Sequence, residues 1–141
     1  MARPAGVTVL GLLMIFAGVG FAITGFTFVL MGSVNAMAAA KTSGESAAML
    51  SALGAAAGII FVLFGGVHVV LAFGILKMRN IARILTIFLF ILIGSGAILG
   101  MVATFIHYST EAFVWNGSML VAAGLALWYL MRPEVKASFG A

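Results

Sequence analysis

Cysteine, aspartate and glutamine do not occur in this 141-residue chain, and only ten side chains carry a full charge. Without cysteine, neither a disulfide nor a thiolate metal site can form. The only acids are Glu45, Glu111 and Glu134, each beside a turn signal rather than inside an apolar run. An intramembrane carboxylate pair and an Asp-His dyad therefore have no residues to be built from, and proton relays in membranes usually rest on buried acids or histidines. A Ser95–His68 nucleophile pair would lack an orienting acid. Proline is confined to positions 4 and 133. The formal charge of +4 is small and tied to the ends of apolar runs, which argues against nucleic acid as a partner.

What the chain has instead is apolar length. Hydrophobic residues make up 65% of it and the mean hydropathy is +1.30, outside the range of soluble domains. Four runs, Val7–Met31, Gly54–Leu76, Ile84–Ile106 and Ala112–Met131, contain no charge. Each is about 20–25 residues, the length a helix needs to cross a hydrocarbon core of ~30 Å. The expectation is an all-α, integral membrane four-helix bundle. No polar or Pro/Gly-rich linker divides it, so residues 1–141 read as a single transmembrane domain with helices at approximately 5–40, 43–77, 80–107 and 110–131. The first run is too long for a signal-peptide core, and Ala36-Met37-Ala38 is a poor cleavage site, so it reads as a retained helix.

The basic residues orient the bundle. Arg3, Lys77, Arg79, Arg83, Arg132 and Lys136 fall on one side of the four runs, where they suit lipid headgroups, and Lys41 alone falls on the other. The positive-inside rule then predicts two antiparallel hairpins with both termini cytoplasmic, in the cell (inner) membrane. Trp128 and Tyr129 at the inner side, with Tyr108 and Trp115 at the outer, suit the two interfacial aromatic belts. Pro4 fits a first helical turn. Thr42-Ser43-Gly44-Glu45 has the spacing of a capping box, so helix two is expected to start near residue 43 and to protrude from the outer surface. Pro133 is expected to stop helix four, with Phe139 of the short tail dipping back to the inner interface.

Small residues recur at intervals of seven. Gly11, Gly18, Gly25 and Gly32 lie along helix one, and Ser51, Gly58, Gly65 and Ala72 along helix two. A seven-residue repeat keeps one face in contact in a left-handed pair, and small residues let membrane helices approach closely. Pairing residues whose numbers sum to 83 matches Gly18 with Gly65 and Gly25 with Gly58. Helix three carries Gly96 and Gly100 as a G-x-x-x-G, and Gly94-Ser95-Gly96 is a candidate bend. A shift of 78 residues superposes Thr8 on Thr86 and Gly18 on Gly96, a faint trace of two equivalent hairpins.

His68 is the one strongly polar residue deep in a run, three residues after Gly65 and hence on the seam face. An intramembrane histidine invites haem ligation, a proton step or a packing hydrogen bond. A b-type haem between helices wants two histidines at similar depth, and His107 lies ~20 Å away by helix rise. The reading adopted is a buried structural His68, bonded to Ser95 or to a carbonyl near Gly94. His107 and Glu111, four apart, have the spacing of a weak metal pair. The competing reading is that Ser109 caps helix four with Glu111 in its first turn. No cofactor or catalytic residue is expected. Small four-helix multidrug exporters use a glutamate within helix one, and here that helix offers only Thr8, Thr24 and Thr27.

Three stretches carry a family resemblance: Arg3-Pro4-Ala5-Gly6-Val7-Thr8, Ala82-Arg83-Ile84-Leu85-Thr86 and Arg132-Pro133-Glu134-Val135-Lys136. With its R-P-x-G-V-T start, A-R-x-L-T link and R-P-x-V-K tail, the chain resembles a loose group of small uncharacterised prokaryotic four-helix integral membrane proteins. The resemblance covers nearly the whole chain and implies the same architecture, but it brings no activity with it. The expected function is non-enzymatic: an accessory, scaffold or self-assembling membrane protein, in contact with the lipid bilayer and with a second copy or a larger membrane complex. The alternatives are an oligomeric passive pore or carrier, and a b-type haem or quinone protein built on His68.

Overall fold

In hydrocarbon every backbone N–H and C=O must be satisfied within the segment, so long apolar runs close into helices. The computed structural model describes residues 4–42, 45–106 and 109–140, and side chains within them except at 36, 38–42, 45–48 and 50. Arg3, Ser43, Gly44, His107 and Tyr108 lie outside the described residues, as do the Lys41 side chain and the proposed capping box. The described residues are helical with no strand: α1 Ala5–Thr42, α2 Glu45–Leu76, α3 Asn80–Ile106, α4 Thr110–Met131 and α5 Pro133–Ser138.

The helix ends follow local chemistry. The Val7 amide donates to the Pro4 carbonyl, and α1 begins directly after that proline. At the end of α2 the Met78 amide bonds to the Ile75 carbonyl and the Arg79 amide to the Gly74 carbonyl. These are the two bonds of a Schellman stop. Its left-handed position is filled by Met78, at φ 55°, rather than by glycine. The cost of that conformation is offset by packing, because Met78 lies against an apolar cluster described below. Ser109 caps α4, its Oγ accepting from the Ala112 amide at 3.3 Å, with Glu111 in the first turn.

Pro133 ends α4 and also starts a new helix. Arg132 takes ψ 136°, the extended conformation a following proline demands, and Pro133 then occupies the first turn of α5. The tail thus adds a six-residue helix to the expected architecture, and Val135 and Phe139 on it are buried.

Among the described residues, four helices contain spans long and apolar enough to cross a membrane: Ala5–Asn35, Ser51–Leu76, Asn80–Ile106 and Thr110–Met131. Within the most apolar stretch of each, only 17–28% of the residues are buried. Phe16, Ile81, Leu99 and Phe105 are each more than 70% exposed. In water such a surface aggregates; facing acyl chains it costs nothing. This is the pattern of a multi-pass membrane protein.

The chain divides into two compact units, Gly11–Ala72 and the combination of Met1–Leu10 with Phe73–Ala141. In the second, Val7, Ile75, Ala82, Leu130, Val135 and Phe139 form one buried cluster, flanked by Leu10, Met78, Ile87 and Tyr129. Gly74 permits this turn to close, because a Cβ there would collide with the Ala82 methyl group.

Candidate functional site: the His68 aromatic ladder and the glycine seam

Within Gly11–Ala72 the backbones of α1 and α2 touch. A Cβ on Gly18 would stand 2.7 Å from the Gly65 carbonyl oxygen, and one on Gly65 would strike the Gly18 carbonyl. Gly25 and Gly58 are reciprocal in the same way, at 2.5 and 2.6 Å. A Cβ on Gly32 would lie 2.7 Å from the Ala55 amide nitrogen and 2.9 Å from the Ser51 carbonyl. Each of these glycines is buried, as are Gly11 and Ala72, whereas Ser51 is half-buried. Side chains of any size at the three glycine levels would push the helices apart.

An aromatic ladder runs beside this seam. Phe28 and Phe61 stack at 6.2 Å, Phe61 leans on Phe21 at 5.9 Å, and Phe21 meets Phe64 edge-to-face at 5.3 Å. The ladder ends on His68, whose ring lies 4.6 Å from Phe64 and 5.5 Å from Phe21 between centroids. Sevenfold spacing of Phe21 and Phe28, with the 3-then-4 spacing of Phe61, Phe64 and His68, puts these rings on neighbouring helix faces. That spacing is visible in the sequence, although neither the charges nor the glycines point to it.

His68 is 3% exposed, and its Nδ1 is 2.9 Å from the Phe64 carbonyl oxygen. A carbonyl only accepts, so Nδ1 is the donor, and in the neutral ring Nε2 then holds the lone pair. The His68 bond is thus local to α2, where Ser95 or a carbonyl near Gly94 was the expected partner. The Ser95 hydroxyl donates instead to Ile91 of its own helix at 2.8 Å. The carbonyl four residues back is always within reach of a helical Ser or His, and it wins over a distant partner. Thr27, Ser33 and Thr104 bond in the same manner. Thr86 is the exception: fully buried, its Oγ1 has no partner among the described residues.

The remaining sequence candidates separate by environment. Gly96 faces open space, with nothing within 4 Å of a Cβ placed on it. Gly100 seats the Asn116 amide, which a Cβ would meet at 2.5–2.9 Å, and Asn116 donates to the Ala112 carbonyl at 2.8 Å. Asn116 is thus a polar packing residue that glycine spacing alone does not reveal. Glu111 is exposed in the first turn of α4. Lys77, Arg79, Arg132 and Lys136 are exposed, whereas Arg83 is buried. Its guanidinium donates to the Leu130 carbonyl at 3.1 Å and to Asn80 Oδ1 at 3.2 Å. Arg83 therefore ties α3 to the last carbonyls of α4, where a cation also opposes the negative end of the helix.

No protein-family model matches this chain, and no curated protein or solved structure is significantly similar to it.

Proposed function

We propose that this chain is a non-enzymatic, multi-pass protein of the cytoplasmic membrane that acts by packing, as an accessory, scaffold or self-assembling component. Its architecture is read as two antiparallel helix hairpins with both termini cytoplasmic, of the kind found in the small prokaryotic four-helix group it resembles. The observation that carries this reading is the seam: Gly18 against Gly65 and Gly25 against Gly58 bring backbones into contact. That is the device membrane helices use when lipid removes the hydrophobic incentive to associate. The large apolar side chains left exposed along the spans supply surface for lipid or for a further helix. The decisive experiment is cross-linking in native membranes followed by purification. The reading expects a homo-oligomer or a defined membrane partner; a chain that stays monomeric and alone would sink it.

A second reading is favoured by one geometric fact. Metal-bound histidines usually donate their other ring N–H to a backbone carbonyl or carboxylate, and His68 Nδ1 does so to Phe64, which in the neutral ring leaves Nε2 with its lone pair. A b-type haem or quinone protein would use that atom. The visible absorption spectrum of protein purified from native membranes separates the two: a Soret band that His68→Phe removes would establish the second reading and end the first.

A further inference from the structure

We propose that the end of the Phe73–Ala141 region bearing Lys77, Arg79, Arg132 and Lys136 is a binding site for the phosphate of an anionic phospholipid headgroup. The inference deepens the membrane reading above and rests on it.

Three contacts gather these cations. The Schellman stop turns Lys77, Met78 and Arg79 back over the end of α2. The Arg83–Leu130 bond holds the start of α3 against the end of α4. Val135 of α5 and Phe139 just after it are buried in the same cluster as Ile75 and Ala82, which anchors the tail at that end and leaves Lys136 exposed. Arg83 spends its charge internally. The other four cations are exposed and form no ion pair among the described residues. Glu134 is the one acid of α5, so the local balance is strongly positive.

Arg132 is held for the task. Its guanidinium lies 4.1 Å from the centroid of the Trp128 ring, a cation–π contact that restricts the side chain. A planar guanidinium presents paired N–H donors to phosphate oxygens, and stacking reduces the freedom lost on binding. Trp128 is itself the residue type that settles at the bilayer interface. What fixes the occupant as a lipid is the apolar surface alongside the charge. Ile81, Ile84, Trp128 and Met131 are all more than half exposed. A soluble acidic peptide would leave that surface in water, whereas a phospholipid covers it with acyl chain while its phosphate meets the cations. Basic clusters beside helix ends recognise anionic lipids on this principle.

The test uses the full chain reconstituted in bilayers, with Trp115→Phe so that Trp128 is the only tryptophan. Fluorescence is quenched with either brominated phosphatidylglycerol or brominated phosphatidylcholine. The expected result is a preference for the anionic lipid of at least about fivefold, which is the effect of a single cation near a charged surface. The double variant Arg79→Gln, Arg132→Gln should lower the ratio severalfold towards one, with an unchanged far-UV circular dichroism spectrum. If that variant misfolds, Lys77→Gln with Lys136→Gln is to reduce the ratio instead. Equal quenching by both lipids in the unmodified site overturns the headgroup site and leaves the membrane reading standing. Quenching by neither refutes the membrane reading itself. Loss of the preference on adding millimolar inorganic phosphate would mark a soluble-anion site and overturn the lipid assignment.

Discussion

Replacing Gly18 by alanine perturbs the seam by a single methyl group. That carbon would stand 2.7 Å from the Gly65 carbonyl oxygen, 2.8 Å from Val69 Cγ2 and 3.0 Å from His68 Cβ. Non-bonded atoms settle at about 3.5–4.0 Å, so α2 must withdraw by roughly 1 Å or bear the compression. The nearest atom belongs to the backbone and cannot rotate away. Withdrawal of a rigid helix also opens the Gly25–Gly58 level, and a gap of about 0.5–1 Å forfeits a quarter to a half of the dispersion energy there. Overpacking of this kind costs about 1–3 kcal/mol. Alanine's better helix propensity returns at most about 1 kcal/mol. Gly20→Ala is the matched control, since nothing lies within 4 Å of its Cβ and only the propensity gain applies. Two alanines two residues apart should therefore move stability in opposite directions. Thermal unfolding in detergent, followed by far-UV circular dichroism, reads the difference as several degrees in Tm. Gly18→Leu should go further and separate the pair or abolish folding. Indistinguishable Tm values for Gly18→Ala and Gly20→Ala would refute the seam as a close-contact surface.

The absence of cysteine makes labelling free of background. Thr110→Cys should react with an impermeant thiol reagent in intact cells and Ala137→Cys should be protected; the reverse pattern would invert the orientation argued from the basic residues. Arg83→Met should lower stability by about 1–3 kcal/mol, because it leaves the buried Leu130 carbonyl without its donor; an unchanged melting curve would remove Arg83 as a tie between α3 and α4. Gly100→Val should displace the Asn116 amide from its seat and lower Tm, whereas Gly96→Val, with open space around it, should not. His68→Phe should keep the contacts to Phe21 and Phe64 and forfeit one hydrogen bond, a loss of about 0.5–1.5 kcal/mol. Tm after that substitution checks it, and outright unfolding would contradict the role given to the ring.

Span number and position were readable because the bilayer imposes one strong rule: a charge-free run of about 20 residues closes into a helix. The four spans of the structure show the rule in operation, from Ala5–Asn35 to Thr110–Met131. The same rule is silent at the ends of spans. Arg83 and Arg79 are the same residue type four positions apart, yet one is buried and bonded to Leu130 while the other is exposed. Charge counting cannot separate them, because the difference lies in which carbonyl comes within reach after folding. Pro133 is ambiguous for a similar reason. It forbids continuation of α4 and equally favours the first turn of α5. Only the burial of Val135 and Phe139 against Leu130 and Ile75 decides in favour of a new helix.

Polar residues inside the spans were the least readable part, and the physics behind that also bears on function. A helical Ser, Thr, Asn or His can always satisfy itself on the carbonyl three or four residues back, as His68, Ser95, Thr104 and Asn116 all do. Such residues carry no information about tertiary partners, so a pairing such as His68 with Ser95 cannot be inferred from their depths. Glycine does carry it, since removing the side chain helps only where another backbone arrives. Gly18 and Gly25 meet backbone atoms, Gly100 meets a side-chain amide and Gly96 meets nothing. A polar span residue becomes informative only when it declines the local bond. Thr86 is that case: a hydroxyl with no exposure and no partner among the described residues, one turn from Arg83 on α3. Leaving a buried hydroxyl unpaired costs about 1–3 kcal/mol by mutational measure. Thr86→Val keeps the shape and removes the orphaned group, so it should raise Tm. A lower Tm would mean that the hydroxyl has a partner in the membrane and that this end of α3 is a polar contact surface.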